Sequence, residues 1–251
     1  MLALRDGEAG FEVLMLRRSL NSDFVGGAYV FPGGRVDEDD GGTIAESCVH
    51  GLSDSESSRR LGIESGGLAY YVAGLRELFE EAGLLVVCDE SGGRVDLEGL
   101  EVVARLAASR RAINASTMGF FSMVREEGLR LDLRGLAYLA HWVTPVGPPR
   151  RYDTRFFVAR APSGQVAAHD DGETVAETWV RPVDALSASA RGELDLIFPT
   201  IRTLQSVARF NTCDEVLTFA NAQASIPRIE PRVVSRDGGL AFLIPGDSGY
   251  D

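Results

Sequence analysis

Leu68-Ala69-Tyr70-Tyr71-Val72-Ala73-Gly74-Leu75-Arg76-Glu77-Leu78-Phe79-Glu80-Glu81-Ala82-Gly83-Leu84 is the stretch on which the reading of this chain turns. Leu68, Tyr71, Val72, Leu75, Leu78, Phe79 and Ala82 recur at steps of three and four, the spacing of one face of an α-helix. Gly83 supplies the stop, because a helix ends readily on a residue that tolerates left-handed backbone. On the same wheel Glu77, Glu80 and Glu81 gather within about 100° of one another, opposite the apolar stripe. Carboxylates at i, i+3 and i+4 repel one another by roughly a few tenths of a kcal/mol per pair. A solvated face would interleave lysines, yet only Arg76 flanks this cluster. Two readings follow: an exposed acidic face, or a site for a hard divalent cation, whose chemistry suits clustered carboxylate oxygens.

The segment upstream weighs toward the second. Ala28-Tyr29-Val30-Phe31 reads as a strand that ends in Pro32-Gly33-Gly34-Arg35. Two glycines let a backbone approach a ligand closely and leave carbonyl oxygens open. Either feature alone is ordinary, a turn or an acidic helix. Together they are more specific.

With both halves in view the sequence resembles the Nudix hydrolases, whose box reads G-x5-E-x7-R-E-U-x-E-E-x-G-U with U apolar. Arg76, Glu77, Leu78, Glu80, Glu81, Gly83 and Leu84 match its second half, and Gly34 opens its first half. Asp40 stands where the family has Glu, and 35 residues instead of seven separate it from Arg76. Loop-closure cost grows only logarithmically, so 28 extra residues at such a junction are tolerable. The long insert is similar to the peroxisomal coenzyme A diphosphatase type branch. So are Phe24–Gly34, Trp142-Val143-Thr144-Pro145 and Arg151–Phe157.

The resemblance implies a Nudix-type α/β/α sandwich with a mixed sheet, and metal-dependent hydrolysis of a diphosphate linked to a further moiety. It implies that Glu77, Glu80, Glu81 and the Gly33 carbonyl hold Mg²⁺ or Mn²⁺, and that Arg76 orients the glutamates. The ions would neutralise the diphosphate and activate the attacking water. A glutamate outside the box would accept its proton. Glu173, in the loop His169-Asp170-Asp171-Gly172-Glu173, is the first candidate, with Glu177 and then Glu77 as alternatives. Arg35 and Arg155 are the candidate substrate contacts, because guanidinium pairs well with phosphate; Arg17 and Arg18 are weaker ones. The leading substrate is coenzyme A or acyl-CoA. NADH and ADP-ribose stay open, as does a non-catalytic nucleotide sensor of the same fold.

The rest of the chain bounds this reading. With 251 residues it can bury one sizeable core with insertions, and residues 1–251 read as one domain. The net charge of −12 disfavours nucleic acid and anionic membrane as partners, so positive charge or metal must be concentrated at a phosphate site. The expected partner is a small-molecule diphosphate, with a second copy of the chain left open. Cys48, Cys88 and Cys213 follow no ligand pattern and suggest a reducing compartment. The first residues are not a signal peptide and Gly249-Tyr250-Asp251 is no peroxisomal address, which points to the cytoplasm. His50, His141 and His169 show no metal spacing. Residues 41–66, rich in Gly, Ser, Asp and Glu, read as a surface insertion with one short helix near 54–61, lying outside the catalytic centre. Strands are expected at 2–5, 11–17, 84–88, 137–144, 154–160 and 177–181, helices at 100–114 and 117–127. One amphipathic helix is expected over 194–223, followed by a tail.

Overall fold

The computed structural model describes residues 1–20, 25–147, 150–236 and 239–250. Phe24 and Asp251, which entered the sequence reading, lie outside these residues. The strands are β1 (Leu2–Gly7), β2 (Gly10–Arg18), β3 (Tyr29–Val30), β4 (Val49–His50), β5 (Val87–Asp89), β6 (Leu129–Asp132), β7 (Ala137–Val143), β8 (Asp153–Arg160), β9 (Thr174–Val180), β10 (Arg228–Ile229), β11 (Arg232–Arg236) and β12 (Gly239–Leu243). The helices are α1 (Gly42–Ser47), α2 (Asp54–Leu61), α3 (Gly67–Ala82), α4 (Leu100–Asn114), α5 (Phe120–Glu126), α6 (Pro182–Ala190), α7 (Phe198–Val207) and α8 (Cys213–Asn221).

Seven strands form a mixed sheet in the order β10-β7-β8-β1-β2-β3, with β9 on the other edge of β2. β1 runs parallel to β8, and the remaining central pairs are antiparallel. β2 is buried on both faces, so its side chains sort by alternation. Leu14 and Leu16 point into the layer that holds α3, while Val13 and Met15 point into the layer of α7 and α8. This is the α/β/α sandwich expected from the sequence. The apolar stripe of α3 is buried throughout, with Leu68, Tyr71, Val72, Leu75, Leu78, Phe79 and Ala82 each at most 2% exposed. Fully burying such a side chain contributes about 1.5–3 kcal/mol for the larger ones, which fixes the rotation of α3 on the sheet.

Two details of β2 place the site. β1 pairs with β2 only from Gly10 to Val13, and β3 takes over the same edge at Leu16 and Arg17. The chain leaving β3 is therefore delivered, through Pro32-Gly33-Gly34, onto the C-terminal half of α3. The amino group of Met1 donates to the Pro32 carbonyl at 2.5 Å and helps to hold that turn.

Three expectations are corrected. Residues 41–66 are no loose surface insertion: they form α1, β4 and α2, and Ala45, Cys48, Val49, Leu52 and Leu61 are buried in the same core as α3. α2 also supplies the missing cap of α3. The Asp54 carboxylate accepts from the amides of Gly66 and Leu68 at 3.0 Å each, and the Ser58 hydroxyl accepts from Gly67 at 2.9 Å. A Cβ on Gly67 would stand 2.3 Å from the Ser58 nitrogen, so only glycine lets α2 approach this closely. The expected helix over 194–223 is two helices, because residues 208–212 turn the chain and Thr212 recaps it by accepting from Glu215. The strand expected at 84–88 shrinks to Val87–Asp89, which pairs with β6 in a separate three-stranded sheet; Leu84 and Leu85 are buried as irregular backbone. Beyond 227 the chain forms β10 and a β11–β12 hairpin. The three cysteines are free and buried. No helix among the described residues is long and apolar enough to cross a membrane.

Candidate active site

The last turn and a half of α3 faces the Gly33-Gly34 turn. The approach is close: a Cβ on Gly34 would stand 2.3 Å from a Glu77 carboxylate oxygen, so a larger residue there would push the Glu77 carboxylate aside. The Gly33 amide donates to Glu81 Oε2 at 2.8 Å. The Gly33 carbonyl, expected to face a metal, accepts no hydrogen bond among the described residues.

Arg76 organises the cluster. Its Nε and Nη2 bond both oxygens of Asp40 at 2.8 and 2.9 Å, Nη1 reaches Glu77 at 2.9 Å and Glu80 at 3.2 Å, and Nη2 also donates to the Arg35 carbonyl at 2.8 Å. Asp37 stands 3.5 Å away, so four carboxylates share one guanidinium. Burial opposes the charge on Arg76, but the Asp40 hydrogen bonds and the charges of Glu77, Asp40 and Glu80 outweigh it and hold its pKa above the usual value.

The three glutamates are not a solvated face. The side chains of Glu77 and Glu80 are 14% and 23% exposed, and Glu81 is buried. Desolvation, against the pull of Arg76, pushes Glu77 up to about 7. Glu81, which has the Gly33 amide but no cation in direct contact, rises to about 8, again chiefly through burial. Glu80 is raised for the same reason. Among the described residues no group of three or more histidine, cysteine, aspartate or glutamate side chains stands preassembled to hold a metal ion, because the glutamates are turned to Arg76 and Gly33. The donor chemistry nevertheless fits one. Hard oxygen donors, short of positive charge and held partly out of water, are what Mg²⁺ or Mn²⁺ binds.

Glu173 lies at the edge of this cluster. Its carboxylate accepts from Arg18 Nη2 at 2.9 Å, is 54% exposed, and is near enough for its charge to raise Glu77 and Glu81. Its loop is pinned by Asp170, which accepts from Thr174 at 2.8 Å and from Glu173 at 3.1 Å. Glu177, the alternative base, is instead tied to His169, whose ring and amide both contact its carboxylate; the His169 hydrogen bond lowers its pKa. The remaining candidates do not join the cluster. Arg35 offers its carbonyl inward while its side chain is exposed. Arg155 stacks 4.2 Å above the Tyr70 ring and bonds Asp153 at 2.9 Å, with its Nε buried and unpartnered. Tyr70 precedes Glu77 by two turns, about 10 Å along the axis. Arg17 donates to the Gly27 carbonyl at 3.4 Å.

Sequence reasoning missed Arg110 and Asn114, which both donate to the Glu80 carbonyl, at 2.9 and 3.1 Å, and so tie α4 to the end of α3. No local pattern marks them. Asp37 was within reach, since it opens the acidic run that ends at Asp40.

The chain is similar to known proteins over most of its length. The family model of the NUDT19 Nudix domain matches residues 52–207, which include Arg76, the three glutamates and Glu173 but not Gly33 or Asp40. Over 97% of this chain and 74% of its own length, a chicken (Gallus gallus) acyl-coenzyme A diphosphatase NUDT19 is 28% identical; the Xenopus laevis protein of the same name is 24% identical over 98% and 73%. A crystal structure of a NUDIX hydrolase from Alicyclobacillus acidocaldarius superposes with a TM-score of 0.67 at 28% identity, covering 90% of this chain and 95% of that one. The chain belongs to the Nudix hydrolase family, through the NUDT19 type of Nudix domain.

Proposed function

We propose that this protein is a Mg²⁺- or Mn²⁺-dependent pyrophosphohydrolase that cleaves the diphosphate of coenzyme A or its acyl esters. The observation that carries the reading is the partly desolvated trio Glu77, Glu80 and Glu81, packed against a glycine turn and short of positive charge. A sensor that only binds nucleotide has no use for three carboxylates held against their own repulsion. The names of the vertebrate relatives supply the substrate class. Glu77, Glu80, Glu81 and the Gly33 carbonyl would hold the metal, which would neutralise the diphosphate and lower the pKa of water.

The chain's own residues do the rest. Asp40 fixes Arg76, and Arg76 fixes the directions of Glu77 and Glu80. Water oxygen bonds to one phosphorus as the bond from that phosphorus to the bridging oxygen breaks, and the leaving phosphate carries the electron pair away. Glu173 accepts the proton of that water, its half-exposed carboxylate exchanging Arg18 for the new partner.

The test is phosphate-release turnover with Mn²⁺ across coenzyme A, an acyl-CoA, NADH and ADP-ribose. Turnover highest on the first two is the expected result. Tight binding of one of them with no turnover on any would make the protein a sensor.

A further inference from the structure

A cavity of about 710 Å³ adjoins the carboxylate cluster, bordered by Arg76 and Glu80. Neither of its walls comes from the sheet. One is the segment from Asp37 to Ile44, at the start of the insertion; the other is the α4–α5 connection with α5. Its volume lies in the range of small-molecule sites, about 300–1,000 Å³. Several groups on it have no partner among the described residues. The Ser122 hydroxyl, the Arg125 guanidinium and the Asp39 carboxylate make no hydrogen bond or ion pair among the described residues, and Ile44 is a 53% exposed apolar side chain.

Charge limits what can enter. A second phosphate group would meet Asp37, Asp39 and Glu80 with Arg125 to offset them, since Arg76 already shares its charge among four carboxylates. An uncharged chain meets no such opposition: its amides find the Ser122 hydroxyl and Arg125, and its apolar end finds Ile44 and Met118. We propose that this cavity receives the uncharged, amide-bearing arm of the substrate, the pantetheine with any acyl tail, and leaves the phosphorylated nucleoside outside. The assignment rests on the coenzyme A reading above. It gives the long interruption of the box a role, since α1 carries one wall of the pocket.

Ser122 and Ile44 are both exposed, one on each wall, so the substitutions Ser122→Trp and Ile44→Asp spare the core. The assay is inhibition of Mn²⁺-dependent coenzyme A hydrolysis by the two products, 4′-phosphopantetheine and 3′,5′-ADP, using the full chain. Each variant is expected to weaken phosphopantetheine about tenfold and 3′,5′-ADP by less than about twofold, with KM for coenzyme A rising and kcat held. Weakening of 3′,5′-ADP instead would put the nucleoside in the cavity and overturn the proposal, as would no change in either product. If the wild-type chain cleaves neither coenzyme A nor acyl-CoA, the substrate reading fails and takes this assignment with it.

Discussion

Asp40 grips Arg76 by both arms of the guanidinium fork, Nε to Oδ1 at 2.8 Å and Nη2 to Oδ2 at 2.9 Å, and Asp40 is fully buried. The two stand 36 positions apart, so the insertion loops out between the halves of the box without separating them. The Asp37 amide adds a third bond to the Asp40 carboxylate, at 2.8 Å. Removing one partner of such a pair strands the other. Asp40→Ala is expected to cost about 3–5 kcal/mol in urea unfolding and to lower kcat, whereas Asp40→Glu restores the ion pair. A loss below about 0.5 kcal/mol would mean that the pair adds nothing to stability.

Glu80→Gln and Glu81→Gln keep size and helix propensity while removing a charged donor. Each is expected to lower kcat at least ~10²-fold with unchanged circular dichroism. Near wild-type turnover in either variant would reduce that glutamate to a structural residue.

The fold was legible where periodicity is local. The stripe from Leu68 to Ala82 gave α3 because all seven residues serve one buried face, and the strands at 137–143, 153–160 and 174–180 are short runs that each lie near a Gly or Pro breaker. The site was legible as far as the glutamates and the glycine turn, since the box is a spacing pattern. What stayed hidden depends on contacts between distant segments. The caps that Asp54 and Ser58 place on α3, and the reach of Arg110 to the Glu80 carbonyl, leave no trace in spacing. Residues 41–66 looked loose because their composition is polar, yet five small or medium apolar residues suffice to anchor them.

The raised pKa values of Glu77, about 7, and Glu81, about 8, set a pH dependence for the metal-free protein. Both lie above the unfolded value of about 4.5, so the folded state binds more protons between. The stability from this source is complete below about pH 4.5 and is lost as pH rises to 8. In EDTA the melting temperature should therefore fall across that window, and Glu81→Gln should raise it at pH 8 while changing little at pH 4. Mn²⁺ affinity, measured by calorimetry, should rise from pH 6 to 8 as protons leave the donors. A metal-free melting temperature that climbs with pH would contradict the burial of these carboxylates.

Replacing residues 41–66 by a short Gly/Ser loop removes the capping oxygens of Asp54 and Ser58 together with the buried Val49, Leu52 and Leu61. The shortened chain is expected not to fold cooperatively. The milder Leu61→Ala should cost about 2–5 kcal/mol by urea unfolding, as for other buried leucines. A shortened chain with a sharp, wild-type-like melting transition would return the segment to the surface.

Glu173 is the test of proton transfer. Its carboxylate stands at the edge of the cluster, half exposed, held by Arg18 and not by the core, so it can change partners without unfolding its loop. Glu177 is locked to His169, which leaves it poorly placed to accept a proton from water. A base acts in the transition state, and its removal typically costs 10²–10⁴-fold in kcat, with ground-state binding little changed. Glu173→Gln is thus expected to lower kcat by roughly 10²-fold or more, with KM and Mn²⁺ affinity close to wild type. Arg18→Gln tests the partner: freeing Glu173 should leave kcat within about tenfold of wild type if Arg18 only parks the carboxylate. Unaltered kcat in Glu173→Gln beside an inactive Glu177→Gln would move the role to Glu177, and activity in both would move it to Glu77.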